Sequence, residues 1–233
     1  MANSQTTLST KSYSSTSMAR SREELGEHHQ HAQRLLPRLP HRPRYLSPHE
    51  PRHTYRGLLA RYFPELPRDK EAIGKWESDI VSNYGHLGKP IEGATTLESA
   101  NREDVPWGIV TSGTTSLAHS WYRALFEDIS KPRVFITAHD VNNGKPDPEG
   151  YVTAFEKLKG LYGLADGAKA VVFEDAPTGI KAGVSGGFEV VGIASTFSKE
   201  VLLAAGASYV VEDFTKVKIS KSGDVVELKL DVL

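Results

Sequence analysis

The sequence contains no cysteine, which excludes disulfides and thiolate chemistry and is compatible with a reducing compartment. It has no run of 18 or more apolar residues, the length a membrane span needs, and no short apolar stretch near the N-terminus reads as a secretory signal. A cytoplasmic location is therefore expected. Charge of either sign is not in excess: the formal net charge is -1, so nothing global points to nucleic acid or a membrane surface as partner. At 233 residues, the chain has room for one domain of ordinary size with a small appendage.

Residues 1 to 22 contain no acid and are rich in Ser and Thr. They read as a tail whose composition cannot offset the entropy of ordering; an Arg- and Ser-rich transit peptide is the alternative. Residues 23 to 53 hold six of the nine histidines and a proline every few residues. That density prevents a long helix or a central strand, so residues 1–53 are expected to be disordered or irregular. His49, Glu50 and His53 match the spacing of a zinc-protease helix, but Pro51 between them and the absence of apolar periodicity argue against it. The "HHQH" of residues 28–31 reads as incidental composition.

From residue 54 the texture becomes globular. Tyr55, Leu58, Leu59 and Tyr62 fall at helical spacing, and Ile73, Trp76, Ile80 and Tyr84 suggest a second helix stopping at Gly85. A third helix is expected over 93–101. Beyond residue 105 short β-branched or aromatic runs (107–112, 133–137, 170–175, 189–194, 208–211) alternate with helical patterns (115–127, 147–162, 178–186, 198–205). This order implies βαβ units and a parallel sheet covered on both faces. The alternating "DVVELKL" of 224–230 suggests an edge strand.

In open α/β sheets, ligands bind beyond the carboxyl ends of the strands, and three of these ends carry polar residues. Thr111, Ser112 and Gly113 close the first run and could bind an anion through hydroxyls and N–H groups; capping of the next helix is the plainer alternative. Lys145 sits between Gly144 and Pro146 in a turn, where it could neutralise phosphate or simply be solvated. Glu174 and Asp175 end the third run. Adjacent acids repel and resist desolvation; a divalent cation would relieve both, since Mg²⁺ takes one or two carboxylates with phosphate and water. Asp175 capping the helix near Pro177 is the alternative.

The text "WGIVTSGTT", "FITAHDVNNGKPDPEGY" and "VVFEDAPTGIKAGVSGGFEVVGIAST", with "PIEGATTLES", resembles the haloacid dehalogenase-like phosphatases, nearest to the fungal glycerol-phosphate and 2-deoxyglucose-6-phosphate type. The resemblance runs from about residue 54 to the end. It implies an α/β, Rossmann-like parallel sheet flanked by helices (96–233) with a partial helical cap (54–95). It also implies a phosphatase of small phosphorylated polyols or sugars. Thr111 and Lys145 would be catalytic; Ser112 and Gly113 would join them in holding phosphate; Glu174 and Asp175 would hold Mg²⁺. A small phosphorylated metabolite is the expected partner.

The family begins with an apolar strand ending in Asp-x-Asp-Gly-Thr, whose first Asp attacks phosphorus and whose second is the general acid/base. This sequence has no such motif, and its only aspartates before residue 100 are Asp69 and Asp79. An altered reading frame, a misplaced start or a retained intron over residues 1–53 would account for this. Without that central strand the sheet would have a slot. Either 107–111 pairs directly with 170–174, or the chain is poorly stable alone, since each buried unpaired backbone group costs about 1–3 kcal/mol against a net stability of roughly 5–15. A non-catalytic protein that binds phosphate and Mg²⁺ is the competing function.

Overall fold

The computed structural model describes residues 5–9 and 70–233. Helix expectations for 54–66, the His49/Glu50/His53 spacing and residues 28–31 lie outside the described residues. The chain divides into two compact units, Met1–Ser17 with Glu77–Leu233, and Met18–Trp76; the first holds all of the described residues except 70–76.

Its elements are β1 (Gln5–Ser9), α1 (Lys70–Tyr84, entering from the second unit), α2 (Thr96–Arg102), β2 (Gly108–Val110), α3 (Thr115–Leu125), β3 (Val134–Ile136), α4 (Glu149–Tyr162), β4 (Lys169–Glu174), α5 (Pro177–Ser185), β5 (Glu189–Ile193), α6 (Lys199–Ala204), β6 (Tyr209–Val211), β7 (Val217–Ser222) and β8 (Val225–Leu230). Helices and strands alternate from β2 to β6, as the sequence pattern requires, and the α/β class and its Rossmann-like parallel pairing follow. A four-stranded sheet runs in the order β1-β4-β5-β6, β2 pairs with β3, and β7 pairs with β8. The four pairings that join β1 through β6 are all parallel; among the described residues only the β7–β8 hairpin is antiparallel.

The middle strands are continuously apolar because both faces are covered. Ala170, Val172, Val190 and Val210 point to a core built with Tyr151, Ala154 and Leu158 of α4, Ile180 and Ala182 of α5 and Leu202 of α6. Val171, Phe173, Val191, Ile193 and Val211 point the other way, onto Phe214, Val217 and the partly buried Ile219, Leu228 and Leu230 of the hairpin. Successive residues thus feed opposite cores, the period-two rule of a strand. A third cluster seats Leu97, Trp107, Ile109, Tyr122 and Phe126 with Val226.

Two strands depart from expectation. The slot beside β4 is not closed by 107–111, because β2 pairs with β3 and not with β4. It is lined instead by β1, which runs parallel to β4 in the register Gln5↔Lys169 to Ser9↔Phe173. A segment expected to be irregular therefore supplies a ladder, because an exposed row of β4 N–H and C=O groups rewards any extended chain that satisfies it. The second departure is β7, unread in the sequence, which makes the "DVVELKL" segment one arm of a hairpin turning at Gly223 (φ 58°).

Removing residues 1–12 should strip this ladder from β4. We expect a fall of several degrees in thermal midpoint, given about 2–4 °C per kcal/mol for a chain of this size. An unchanged midpoint would show that β1 contributes nothing to the fold.

Candidate active site

The three polar strand ends meet. Lys145 lies on the loop between β3 and α4, and its Nζ donates to the carbonyl of Val110, at the end of β2, at 3.3 Å. The same ammonium contacts Glu174 Oε1, at the end of β4, at 2.5 Å. Thr111 follows Val110 directly, and Asp175 follows Glu174. The lysine side chain is only 8% exposed and the glutamate 0%, so Lys145 is not a solvated surface residue.

The loop that carries Lys145 is preorganised. Both carboxylate oxygens of Glu149 accept backbone N–H groups, Oε1 from Asn142 and Oε2 from Asn143, each at 2.8 Å. These two N–H donors, Asn142 first, hold the Glu149 carboxyl below its usual range. Asp147 Oδ1 accepts the Glu149 N–H at 2.9 Å. Upstream, Asp140 Oδ2 accepts the N–H and hydroxyl of Thr137 at 2.8 and 2.7 Å. Burial alone would push the Asp140 carboxyl up, but the Thr137 donors, with Lys157 and His139 nearby, bring it below the usual range. Since the Thr137 hydroxyl donates to Asp140, it is Thr115 that donates to Thr137 across 2.9 Å.

Glu174 is fully engaged. Oε1 accepts from Lys145 and from the Tyr151 hydroxyl, the latter at 3.0 Å. Oε2 accepts the N–H groups of Asp175 and Ala176 at 2.8 and 3.0 Å. Four donors on one buried carboxylate are what makes its burial tolerable. Tyr151, 0% exposed, also places its ring 4.9 Å from the Lys145 ammonium. No sequence motif marks this tyrosine for a role at the site; the one signal is that a buried tyrosine hydroxyl requires a partner.

Helix capping falls to other residues. The N-cap of α3 is Thr114, whose hydroxyl accepts from Leu117 N at 3.3 Å. Thr111 Oγ1 accepts instead from Gly113 N at 3.1 Å. The N-cap of α5 is Ala176, without a side-chain cap bond, so Asp175 does not cap it. Asp175 Oδ2 accepts from the Thr196 hydroxyl at 3.2 Å, a contact from beyond β5 that sequence spacing gave no means of finding. Ser112 is exposed and Gly113 half-buried, at the rim above buried Thr111.

A hydroxyl-bearing loop, a buried lysine and paired carboxylates are thus brought together at the strand ends. A family model described as haloacid dehalogenase-like hydrolase matches residues 13–187. The chain is 42% identical over 180 residues to 2-deoxyglucose-6-phosphate phosphatase 2 of Saccharomyces cerevisiae, an alignment covering 72% of this chain and 73% of the relative. It is 36% identical over 186 residues to glycerol-1-phosphate phosphohydrolase 1 of the same yeast, covering 74% and 71%. Among solved structures, a family IA hydrolase of Entamoeba histolytica superposes with a TM-score of 0.63 at 20% identity, covering 92% of this chain and 95% of that one. The chain belongs to the haloacid dehalogenase-like hydrolase family.

Two substitutions test the packing around Glu174. A Cβ on Gly179 would lie 1.9 Å from Glu174 Oε1, so Gly179→Ala must displace the carboxylate or the helix and should cost about 1–3 kcal/mol or more. Tyr151→Phe removes one charge-assisted bond and should cost about 1.5–3 kcal/mol. Urea unfolding midpoints measure both; a neutral Gly179→Ala would refute this placement of Glu174.

Proposed function

We propose that this chain binds the phosphate group of a small phosphorylated polyol or sugar and, with Mg²⁺, acts on it as a phosphomonoester hydrolase. The observation that carries the reading is the bridging position of Lys145, bonded to both the β2 and β4 ends. The Thr111 hydroxyl, already accepting from Gly113 N, has its proton to give to a phosphoryl oxygen. Ser112 and Gly113 add contacts from the adjoining loop, and Lys145 neutralises phosphate charge. The named relatives act on 2-deoxyglucose 6-phosphate and glycerol 1-phosphate, which supports a substrate of that size.

The donor set fits Mg²⁺ through one carboxylate first. Among the described residues no group of three or more His, Asp or Glu forms a ready cage, and Mg²⁺ needs none, since it keeps water and substrate phosphate in its shell. Asp175, 7% exposed at the strand end, is the carboxylate proposed to hold it. Glu174 can join as the second only by releasing one of its four donors. When bound, the cation would neutralise charge on the phosphoryl oxygens. Lys145 and the Thr111 loop orient the group independently of it.

A second reading, binding without turnover, is favoured by the strand beside β4. It ends at Ser9, and the sequence continues Thr10, Lys11, Ser12, with no carboxylate to attack phosphorus. Release of inorganic phosphate from glycerol phosphate and 2-deoxyglucose 6-phosphate, in the presence of Mg²⁺, separates the two. Turnover that disappears in both Asp175→Ala and Lys145→Ala supports the hydrolase. Thermal stabilisation by Mg²⁺ with phosphate, but no turnover, supports the binding protein. Neither effect would overturn the site itself.

A further inference from the structure

Glu77 is a buried charged group that the site described above does not use. It lies in α1 and is 0% exposed. Its Oε2 accepts the hydroxyl of Thr114, while Oε1 is buried with no hydrogen-bond partner among the described residues. The Thr114 hydroxyl has one proton. Because its oxygen already accepts from Leu117 N, that proton goes to Glu77. The same threonine thus does two things: as acceptor it starts α3, and as donor it fastens the start of α3 to α1.

The seam between these two helices does not need a carboxylate for packing. One turn along, Val81 meets Leu117 and Trp121 in an apolar cluster. An apolar residue at position 77 would extend that cluster, whereas a carboxylate with one orphaned oxygen carries an uncompensated desolvation penalty. Such penalties persist where function holds them in place. What Glu77 fixes is the far end of the loop Thr111–Thr114. The near end is fixed by Thr111 N donating to Ile136 O at 2.9 Å, and the middle by Ala138 N donating to Gly113 O at 2.9 Å. Without the Glu77 bond, the loop would keep its ties to β3 and to the first turn of α3 but lose the one to α1.

We propose that Glu77 is a positioning residue for phosphate binding: acting through Thr114, it sets the loop that presents Thr111, Ser112 and Gly113. The inference rests on the phosphate-site reading given above and assigns no contact between Glu77 and the ligand. Glu77→Gln keeps an acceptor for the Thr114 hydroxyl, whereas Glu77→Met removes it and suits the apolar seam.

The test is calorimetric titration of inorganic phosphate into the full chain with Mg²⁺, paired with thermal midpoints. Glu77→Met should lower phosphate affinity about fivefold or more while its midpoint holds or rises; Glu77→Gln should stay within about twofold of wild type. Thr114→Val, which also removes the α3 cap, should lose at least as much, and adding Glu77→Met to it should change little, because their shared bond is already gone. Wild-type affinity in both Glu77→Met and Thr114→Val would overturn the inference, as would an equal loss in Glu77→Gln, which would point to charge and not positioning. Should Glu77→Met fail to fold, Thr114→Val and Glu77→Gln decide by the same criteria. Wild-type protein that binds no phosphate overturns the phosphate-site reading and this inference together; wild-type binding abolished by Lys145→Ala, with the Glu77 variants unaffected, sinks this one alone.

Discussion

The contact between Lys145 and Glu174 constrains everything around it. An ammonium and a carboxylate that are 8% and 0% exposed are stable together only if the carboxylate's remaining lone pairs are filled, since desolvation otherwise outweighs their attraction. That requirement recruits Tyr151 from α4 and two backbone N–H groups from the turn into α5. It also forbids a side chain at Gly179, whose missing Cβ is the space the carboxylate occupies. The loop from Asn142 to Glu149 must then hold its lysine at one depth, which the paired N–H bonds to Glu149 accomplish. The site is a consequence of solving this burial problem at the strand ends of β2 and β4.

How much of this could be read from the sequence depends on whether a residue's role is local. The strands β2 to β6 were legible because strands covered on both faces must be apolar throughout. The polar residues at their tips were legible because a sheet of this kind aligns its strand ends. β7 was not read, although Val217 and Ile219 alternate with Lys218 and Ser220, because the lysines break up any apolar run. β1, with one leucine in "QTTLS", has no pattern of its own to find; its pairing is dictated by the empty edge of β4. Tyr151, Thr196 and Glu77 escaped for a shared reason. Each matters through a partner 21 to 37 positions away, and no local period records that.

In α1 a small difference in phase is enough to hide such a residue. A face through Ile80 and Tyr84 is a sound helical pattern, yet Tyr84 is 41% exposed, while Val81 is 8% exposed and Glu77 0%. The buried stripe is displaced by one residue, about 100° around the helix. An acidic residue on the true inner face is an unattractive choice for a periodicity argument, which scores it as polar and assigns it to solvent. It becomes visible only when its hydrogen bond to the start of α3 is seen.

Binding a phosphate and transferring it make different demands on this architecture. Binding draws on charge and directed donors, and in the proposed site those come from Thr111, the loop N–H groups and Lys145, whose contacts run to the strand ends. Transfer through an aspartyl phosphate needs a carboxylate poised in line with the leaving oxygen, which the expected Asp-x-Asp-Gly-Thr motif would supply from the tip of the strand beside β4. In this chain that place is taken by β1, whose backbone satisfies the ladder while its sequence ends in Ser9 and continues Thr10 and Lys11. Any extended segment can fill a ladder, since only N–H and C=O groups are required, but only an acid can serve as that nucleophile. A strand that completes the ladder thus need not carry such an acid, and the proposed phosphate-binding groups are held in place without one.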